Sequence, residues 1–333
     1  MSTGALAVLF VLAAAASLRT SWILVNRLER VGARLGLTEA LLGMLAALAA
    51  DAPEITASVS AMASHQSRVG AGVVVGSNVF NLAALLGLGA VVAGSVALHR
   101  RVVVMEGAVA GWIAVVCVLS VTGVLAAGEG LVLVLLVLLP YGVLLGMPHE
   151  RLRRLRLPDG WTRWIREAIE ESEVELEVAF HPTQGQRRDA IEALLLTLVV
   201  VGASVAMEQT GARIGTRMHW PEVVTGGLLL AAVTSIPNAS AAVYLARRGR
   251  GAATLSTAMN SNALNVAVGL LIPGMIVGLG APSAGATLTA AAYLSVTALV
   301  LLLAHRSAGL RRGHGMTIIG AYLTFVAILL VIA

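Results

Sequence analysis

The feature that most constrains this chain is its succession of long apolar runs. Ten of them follow one another, at roughly 4–26, 37–62, 69–95, 101–123, 127–147, 188–208, 221–246, 252–279, 283–304 and 314–333. A hydrocarbon core of about 30 Å is crossed by a helix of about 20 mostly apolar residues. Inside lipid each segment must satisfy its own backbone hydrogen bonds, which favours helices. The expected fold is therefore an all-α polytopic membrane protein with ten transmembrane helices. Composition agrees, because 58% of the residues are hydrophobic and 12% are charged, against about 25% charged in soluble domains. The 35 glycines suit close helix packing in lipid, where apolar burial alone drives little association. Residues 5–16 resemble a signal-peptide core, but no charged segment precedes them and apolar character resumes after Arg19. This stretch is read as the first transmembrane helix.

The formal charge of +5 comes with 23 basic residues, all arginine. No stacking aromatics lie among them and no nucleic-acid motif is present, so they read as a topology signal. The loops after the first, third, seventh and ninth runs and the polar segment 148–187, with Arg101 and Arg188 at their edges, hold 19 of them. The opposite side holds only Arg68, Arg213 and Arg217, and Arg19 lies within the first run. By the positive-inside rule the rich side is cytoplasmic and both termini lie outside. The setting implied is a prokaryotic inner membrane. The chain divides into a first five-helix repeat (1–147), a cytoplasmic linker (148–187) and a second five-helix repeat (188–333). Five is odd, so the halves enter the bilayer from opposite sides, the inverted-repeat plan of secondary transporters.

Internal similarity supports that plan. At a constant offset of 184, Gly43 matches Gly227, Pro53 matches Pro237, Ser77 matches Ser261, Asn78 matches Asn262 and Asn81 matches Asn265. The matched stretches are Ala-Asp-Ala-Pro-Glu at 50–54 with Thr-Ser-Ile-Pro-Asn at 234–238, and Gly-Ser-Asn-Val-Phe-Asn at 76–81 with Asn-Ser-Asn-Ala-Leu-Asn at 260–265.

These stretches carry polar groups at mid-membrane depth, where a charge costs about 2.5–3.5 kcal/mol on insertion scales. Asp51 and Glu54 are three apart and share a helix face. Pro53 between them, and Pro237 beside Thr234, Ser235 and Asn238, break their helices and free carbonyls that could ligate a cation. Ser77 with Asn81, and Ser261 with Asn265, each line one face. The set offers carboxylate, amide and hydroxyl oxygens and neither Cys nor His, which suits hard cations such as Ca²⁺, Na⁺ or Mg²⁺. A lone serine or asparagine would read as interhelical glue; two matched sets around paired prolines point to a cation site.

The two stretches resemble the α-repeats of the sodium/calcium exchanger (cation/calcium antiporter) superfamily, whose members carry Gly-Thr-Ser-x-Pro-Glu followed by Gly-Ser-Asn-x-Phe-Asn. The motifs cover about a third of the chain, and the ten-span plan all of it. The resemblance implies two inverted five-helix halves, with spans 2, 3, 7 and 8 around the ions and spans 1 and 6 sliding across them. It makes Glu54, Asn81, Asn238 and Asn265 central ligands and Ser77, Thr234, Ser235 and Ser261 supporting ones. The activity implied is secondary antiport of Ca²⁺ or a related cation for Na⁺, with the transported cations as the only ions required and no cofactor. The partners implied are inorganic cations and the lipid bilayer, with no nucleic acid and no protein partner evident. An H⁺-coupled antiporter and a non-transporting cation-binding relative remain alternatives. No nucleotide-binding motif is present, and two acids on one helix without a partner Asp in span 7 argue against an intramembrane hydrolase.

The chain departs from the family pattern in two places. Asn238 stands where Glu is usual, and Ala50-Asp51 stands where Thr-Ser is common. Asp51 is a candidate replacement for the lost charge, and a different ion or proton coupling would also fit. Arg19 either snorkels to the cytoplasmic face or pairs with Asp51 or another buried acid. Glu106 is expected to be structural, Glu208 to be a solvated helix end or else to line an entrance, Cys117 a packed thiol, and the linker a charge-paired surface helix.

Overall fold

The structure, a computed structural model, describes residues 2–36, 47–147, 186–249 and 251–332, with isolated positions between 160 and 169. The helices are numbered by the spans they form. They are α1 (Thr3–Arg34), α2 (Ala52–Ala63), α3 (Ser67–Ala93), α4 (Arg100–Val121) and α5 (Ala127–Leu145) in the first half. The second half holds α6 (Arg187–Arg217), α7 (Glu222–Thr234 continuing as Ile236–Arg247), α8 (Gly251–Leu264, continuing to Val277), α9 (Ala284–Ser307) and α10 (Arg312–Ile332). Eight of these are long and apolar enough to cross a membrane, or nine with the bent pair of α7 as one span. Residues 47–50 are helical and lead into α2. The start of this run, 37–46, and most of the linker lie outside the described residues, so the tenth span and the linker's surface helix rest on the sequence.

Burial sorts the helices by depth in the bundle. The apolar window of α3 is 94% buried, whereas those of α6 and α10 are 22% buried. Their outward residues, among them Leu194, Leu198, Leu323 and Leu330, are exposed large hydrophobics suited to lipid. A Cβ added to Gly76 would collide with the backbone of Gly227, so α3 and α7 pack backbone to backbone at the centre.

Helices α1 and α6 form a long antiparallel pair fastened along its length. Arg27 meets Asp189 at 3.0 Å and Glu192 at 2.9 Å at one end. Ser17 and Ser204 share a hydrogen bond of 2.7 Å in the middle. Arg217 donates to Thr3 at 3.5 Å near the other end.

The loops gather as the odd span count requires. Ser95–Ala97, after α3, pairs antiparallel with Gly309–Arg311, after α9, and Gly251, before α8, packs against Ala97 at the same end. Gly123, after α4, packs against Pro282 of the turn before α9, and Gly280 of that turn packs against Ser67 and Arg68. Arginine-rich and arginine-poor loops thus meet their own kind.

The offset of 184 is visible in the backbone. Asp51 and Ser235 interrupt equivalent helices with nearly the same dihedrals, φ −80° ψ −8° and φ −83° ψ −1°. A proline follows two residues later in each, and α7 bends by 44° at its break. Gly94 and Gly278 end equivalent helices at φ 83°, a left-handed conformation that glycine adopts without steric cost. Past Asn81, and again from Asn265, the helix widens into a π-helical stretch, Leu82–Leu88 and Asn265–Leu271. Such segments collect at functional sites.

Candidate cation site

All nine candidate residues, Asp51, Glu54, Ser77, Asn81, Thr234, Ser235, Asn238, Ser261 and Asn265, are fully buried at the junction of α2, α3, α7 and α8. Both helix breaks point their polar residues into this junction, and the motif asparagines of α3 and α8 meet them there.

The acids of α2 are held from the second half of the chain. Asp51 Oδ1 accepts from Asn238 Nδ2 at 2.6 Å and from Ser261 Oγ at 2.6 Å. Glu54 Oε1 accepts from Ser235 Oγ at 2.5 Å, and its Oε2 accepts from Asn265 Nδ2. Bonds to an ionised carboxylate are short and strong, so these two carboxylates cross-link the repeats. Asn81 Nδ2 donates to Ser261 Oγ at 3.4 Å and to Asn262 Oδ1 at 3.2 Å. Ser77 Oγ lies 3.5 Å from Thr234 Oγ1, at the edge of hydrogen-bonding distance. Thr234 is engaged mainly with its own helix, at 2.9 Å from the Leu230 carbonyl.

The oxygens left over define the chemistry. Asp51 Oδ2, Asn81 Oδ1, Asn238 Oδ1 and Asn265 Oδ1 are buried and receive no hydrogen bond. A buried acceptor without a donor costs about 1–3 kcal/mol. Four of them in one cluster, two next to carboxylates, are a donor set for a hard cation. Among the described residues no group of three His, Cys, Asp or Glu could hold a metal ion, so amide, hydroxyl or backbone oxygens would complete any coordination.

Asn78 and Asn262, which the repeat alignment matches but the candidate set omits, sit at the centre of the same network. Asn78 Nδ2 donates to the Asn262 carbonyl at 3.0 Å, and Asn262 Nδ2 donates to the Asn78 carbonyl at 3.1 Å. Asn78 Oδ1 also accepts from Asn265 Nδ2 at 3.2 Å. Ser58 was missed altogether; its hydroxyl lies 2.9 Å from the Gly70 carbonyl and 2.8 Å from that of Gly269. Its only signal in the sequence is its position four residues after Glu54.

Three expectations need correction. Pro53 has no N–H to give the Ala49 carbonyl four residues back, but that carbonyl is already engaged. It accepts from Ser21 of α1 at 2.9 Å. Asp51 takes its hydrogen bonds from Asn238 and Ser261 rather than from Arg19, whose side of α1 is exposed. Glu208 is no solvated end, because α6 runs on to Arg217 and Glu208 is fully buried, accepting from Ser60 Oγ at 2.7 Å. Glu106 is 2% exposed and Cys117 fully buried, both inside the bundle.

Fold and site together describe a polytopic helical membrane protein with a buried oxygen-donor cluster at its centre. A family model described as sodium/calcium exchanger protein matches residues 5–145 and 191–331. The chain belongs to the sodium/calcium exchanger protein family. It is 32% identical over 121 residues, 34% of this chain and 14% of the relative, to the sodium/potassium/calcium exchanger Nckx30C of Drosophila melanogaster. The chain thus spans only a small part of that relative's length. Among solved structures it resembles the sodium-calcium exchanger NCX_Mj, with a TM-score of 0.59 and 17% identity over 98% of this chain and 100% of that one. It also resembles the H⁺/Ca²⁺ exchanger CAX, with a TM-score of 0.68 and 13% identity over 98% of this chain and 86% of that one. At such identities the likeness establishes the shared fold.

Proposed function

We propose that the chain is a secondary antiporter that exchanges Ca²⁺ or a related hard cation for Na⁺ by alternating access, with both termini outside and the linker cytoplasmic. The observation that carries this reading is the set of four undonated oxygens, on Asp51, Asn81, Asn238 and Asn265, around two carboxylates and drawn from both halves. In this reading Glu54, Asn81, Asn238 and Asn265 are central ligands, Ser77, Thr234, Ser235 and Ser261 support them, and Asp51 supplies the charge that Asn238 lacks. Two carboxylates give the site a formal charge of about −2, matched to one divalent ion or two monovalent ones. The driving energy is an ion gradient, and the site's work is binding and release rather than bond chemistry.

Proton coupling is the second reading. It is favoured by Asp51, a second acid beside Glu54, and by the likeness to CAX, which has the higher TM-score of the two solved exchangers. The test is ⁴⁵Ca²⁺ uptake into liposomes holding the purified protein, driven in separate runs by an outward Na⁺ gradient and by a pH gradient. Uptake that follows the Na⁺ gradient supports the first reading, and uptake that follows only the pH gradient supports the second. Saturable Ca²⁺ binding without uptake under either gradient would make the chain a non-transporting relative.

A further inference from the structure

Among the described residues three buried acids lie outside the cation site: Glu106, Asp189, which pairs with Arg27, and Glu208. Glu208, on α6, is fully buried, and its chain neighbour Met207 belongs to an apolar cluster with Phe10, Ala13 and Ala14 of α1 and Ala57 and Ala61 of α2. Its Oε2 accepts from Ser60 Oγ of α2 at 2.7 Å, and its Oε1 is buried without a donor. Four residues back, on the same face of α6, Ser204 meets Ser17 of α1. Four residues on from Ser17, Ser21 donates to Ala49, two residues before Asp51. Ser60, Glu208, Ser204, Ser17 and Ser21 therefore form a polar seam between the α1–α6 pair and α2. The seam runs from the end of the bundle nearer the N-terminus to the flank of Asp51. Along α2, Ser60 lies six residues past Glu54, about 9 Å further along the axis.

The pseudo-symmetry shows that the fold does not need an acid here. The offset of 184 superposes α1 on α6, Thr3 falling on Arg187. It places Leu24 at the position of Glu208. Leu24 is 2% exposed and packs against Ala49, Ala193 and Val200. One half fills the seat with an aliphatic side chain and the other with a carboxyl, and a buried carboxyl among apolar side chains is costly to keep.

We propose that Glu208 is a proton-binding site on the face that α6 turns to α2, distinct from the cation site, which sets how firmly α6 holds α2; this rests on the reading of the chain as a cation antiporter. A proton from water binds Oε1, the oxygen with no donor, while Oε2 keeps Ser60. The carboxylate becomes a neutral carboxyl, and the bond from Ser60 loses its charge assistance. A groove lined by Leu6, Arg213, Thr216 and Arg217 lies between one and three turns further along α6 and gives the water side of the route.

Other ionisable groups on the packed elements are set apart. On α1, Arg19 is exposed, and half-buried Glu29 lies with Arg27, Arg30 and Arg34 at the far end, where Arg27 and Arg30 pair with Asp189. On α2, Asp51 and Glu54 belong to the cation site. Glu222 of α7, like Arg213 and Arg217 of α6, is exposed.

Two measurements test the proposal. The first needs no transport: infrared difference spectra of the purified protein between high and low pH, in which a protonated-carboxyl band is expected to disappear in Glu208→Gln. The glutamine keeps an acceptor for Ser60, so the fold is retained. The second is the pH profile of exchange at saturating cation, where protons no longer compete effectively for Asp51 and Glu54. The profile is expected to flatten in Glu208→Gln and to return in Glu208→Asp. An unchanged infrared difference spectrum, or a Glu208→Gln pH profile that is the wild-type profile scaled down, overturns the proposal even where exchange itself is intact. Absence of exchange in the wild type would instead count against the antiporter reading and leaves the infrared test decisive for Glu208.

Discussion

Asn78 and Asn262, equivalent residues of the two halves, donate to each other's backbone carbonyls at 3.0 and 3.1 Å. Two helices that enter the membrane from opposite sides are thereby stapled at their shared pseudo-symmetry axis, and the staple touches Asn265 and Asn81 of the site. Replacing either residue by alanine leaves a buried carbonyl undonated and should cost about 1–3 kcal/mol. Thermal unfolding in detergent would measure this. A double-mutant cycle should return a coupling energy of about 0.5 kcal/mol or more, since the two residues are in contact. Strict additivity would contradict the reciprocal pair.

Glu54→Gln should abolish exchange while leaving the fold intact, because the amide preserves shape and removes charge. Asp51→Asn should weaken cation affinity by about tenfold or more if Asp51 supplies the second charge. Cation binding by calorimetry, beside flux in liposomes, separates lost affinity from lost movement. Wild-type flux in Glu54→Gln would sink the site, and full activity in Asp51→Asn would make Asp51 a bystander.

Asn238→Glu should raise divalent affinity and sharpen its dependence on pH. Asn238 Nδ2 now donates to Asp51 Oδ1 at 2.6 Å. A carboxylate there would face another acid instead, and a proton or a cation would have to come between them. Lower pH should therefore weaken divalent binding more in the mutant than in the wild type. Titrations between about pH 5 and 8 that show equal divalent affinity for both proteins would remove Asn238 from the site.

Gly76→Ala should destabilise the protein by about 1–3 kcal/mol, because the added methyl meets the backbone of Gly227, which cannot step aside as a side chain could. Gly111→Ala, where nothing lies within 4 Å of the new Cβ, is the control. Equal unfolding temperatures for the two variants would mean that α3 and α7 are further apart than described.

Cysteine labelling from each side of the membrane should find both termini outside. A C-terminus accessible only from the cytoplasm would refute the orientation inferred from the arginines.

The spans were legible because lipid imposes one rule on every helix, and the offset of 184 exposed the repeat without any structure. That these polar residues gather in one buried cluster was also readable, since polar side chains at mid-membrane depth have few other places to go. What the sequence did not carry was direction. Nothing in the string says that Asn238 turns its amide nitrogen to Asp51, or that Ser21 takes the carbonyl that Pro53 frees. Both depend on which helix of the other half lies opposite. Glu208 was misread for a local reason. The apolar run stops at Glu208, which suggests a helix end, whereas α6 continues to Arg217 and sets Gly211 against Phe10 of α1.

The undonated oxygens of the cation cluster also bear on leakage. A carrier that must turn over between two sides can do so loaded or unloaded, and only the loaded crossing performs exchange. In the proposed cycle the unloaded crossing would carry Asp51 Oδ2 and three amide oxygens with no donor for them. The loaded crossing cancels that penalty. If these four atoms hold the cation as proposed, they would also discourage the futile return trip, so that a gradient of one ion would be spent only against movement of another.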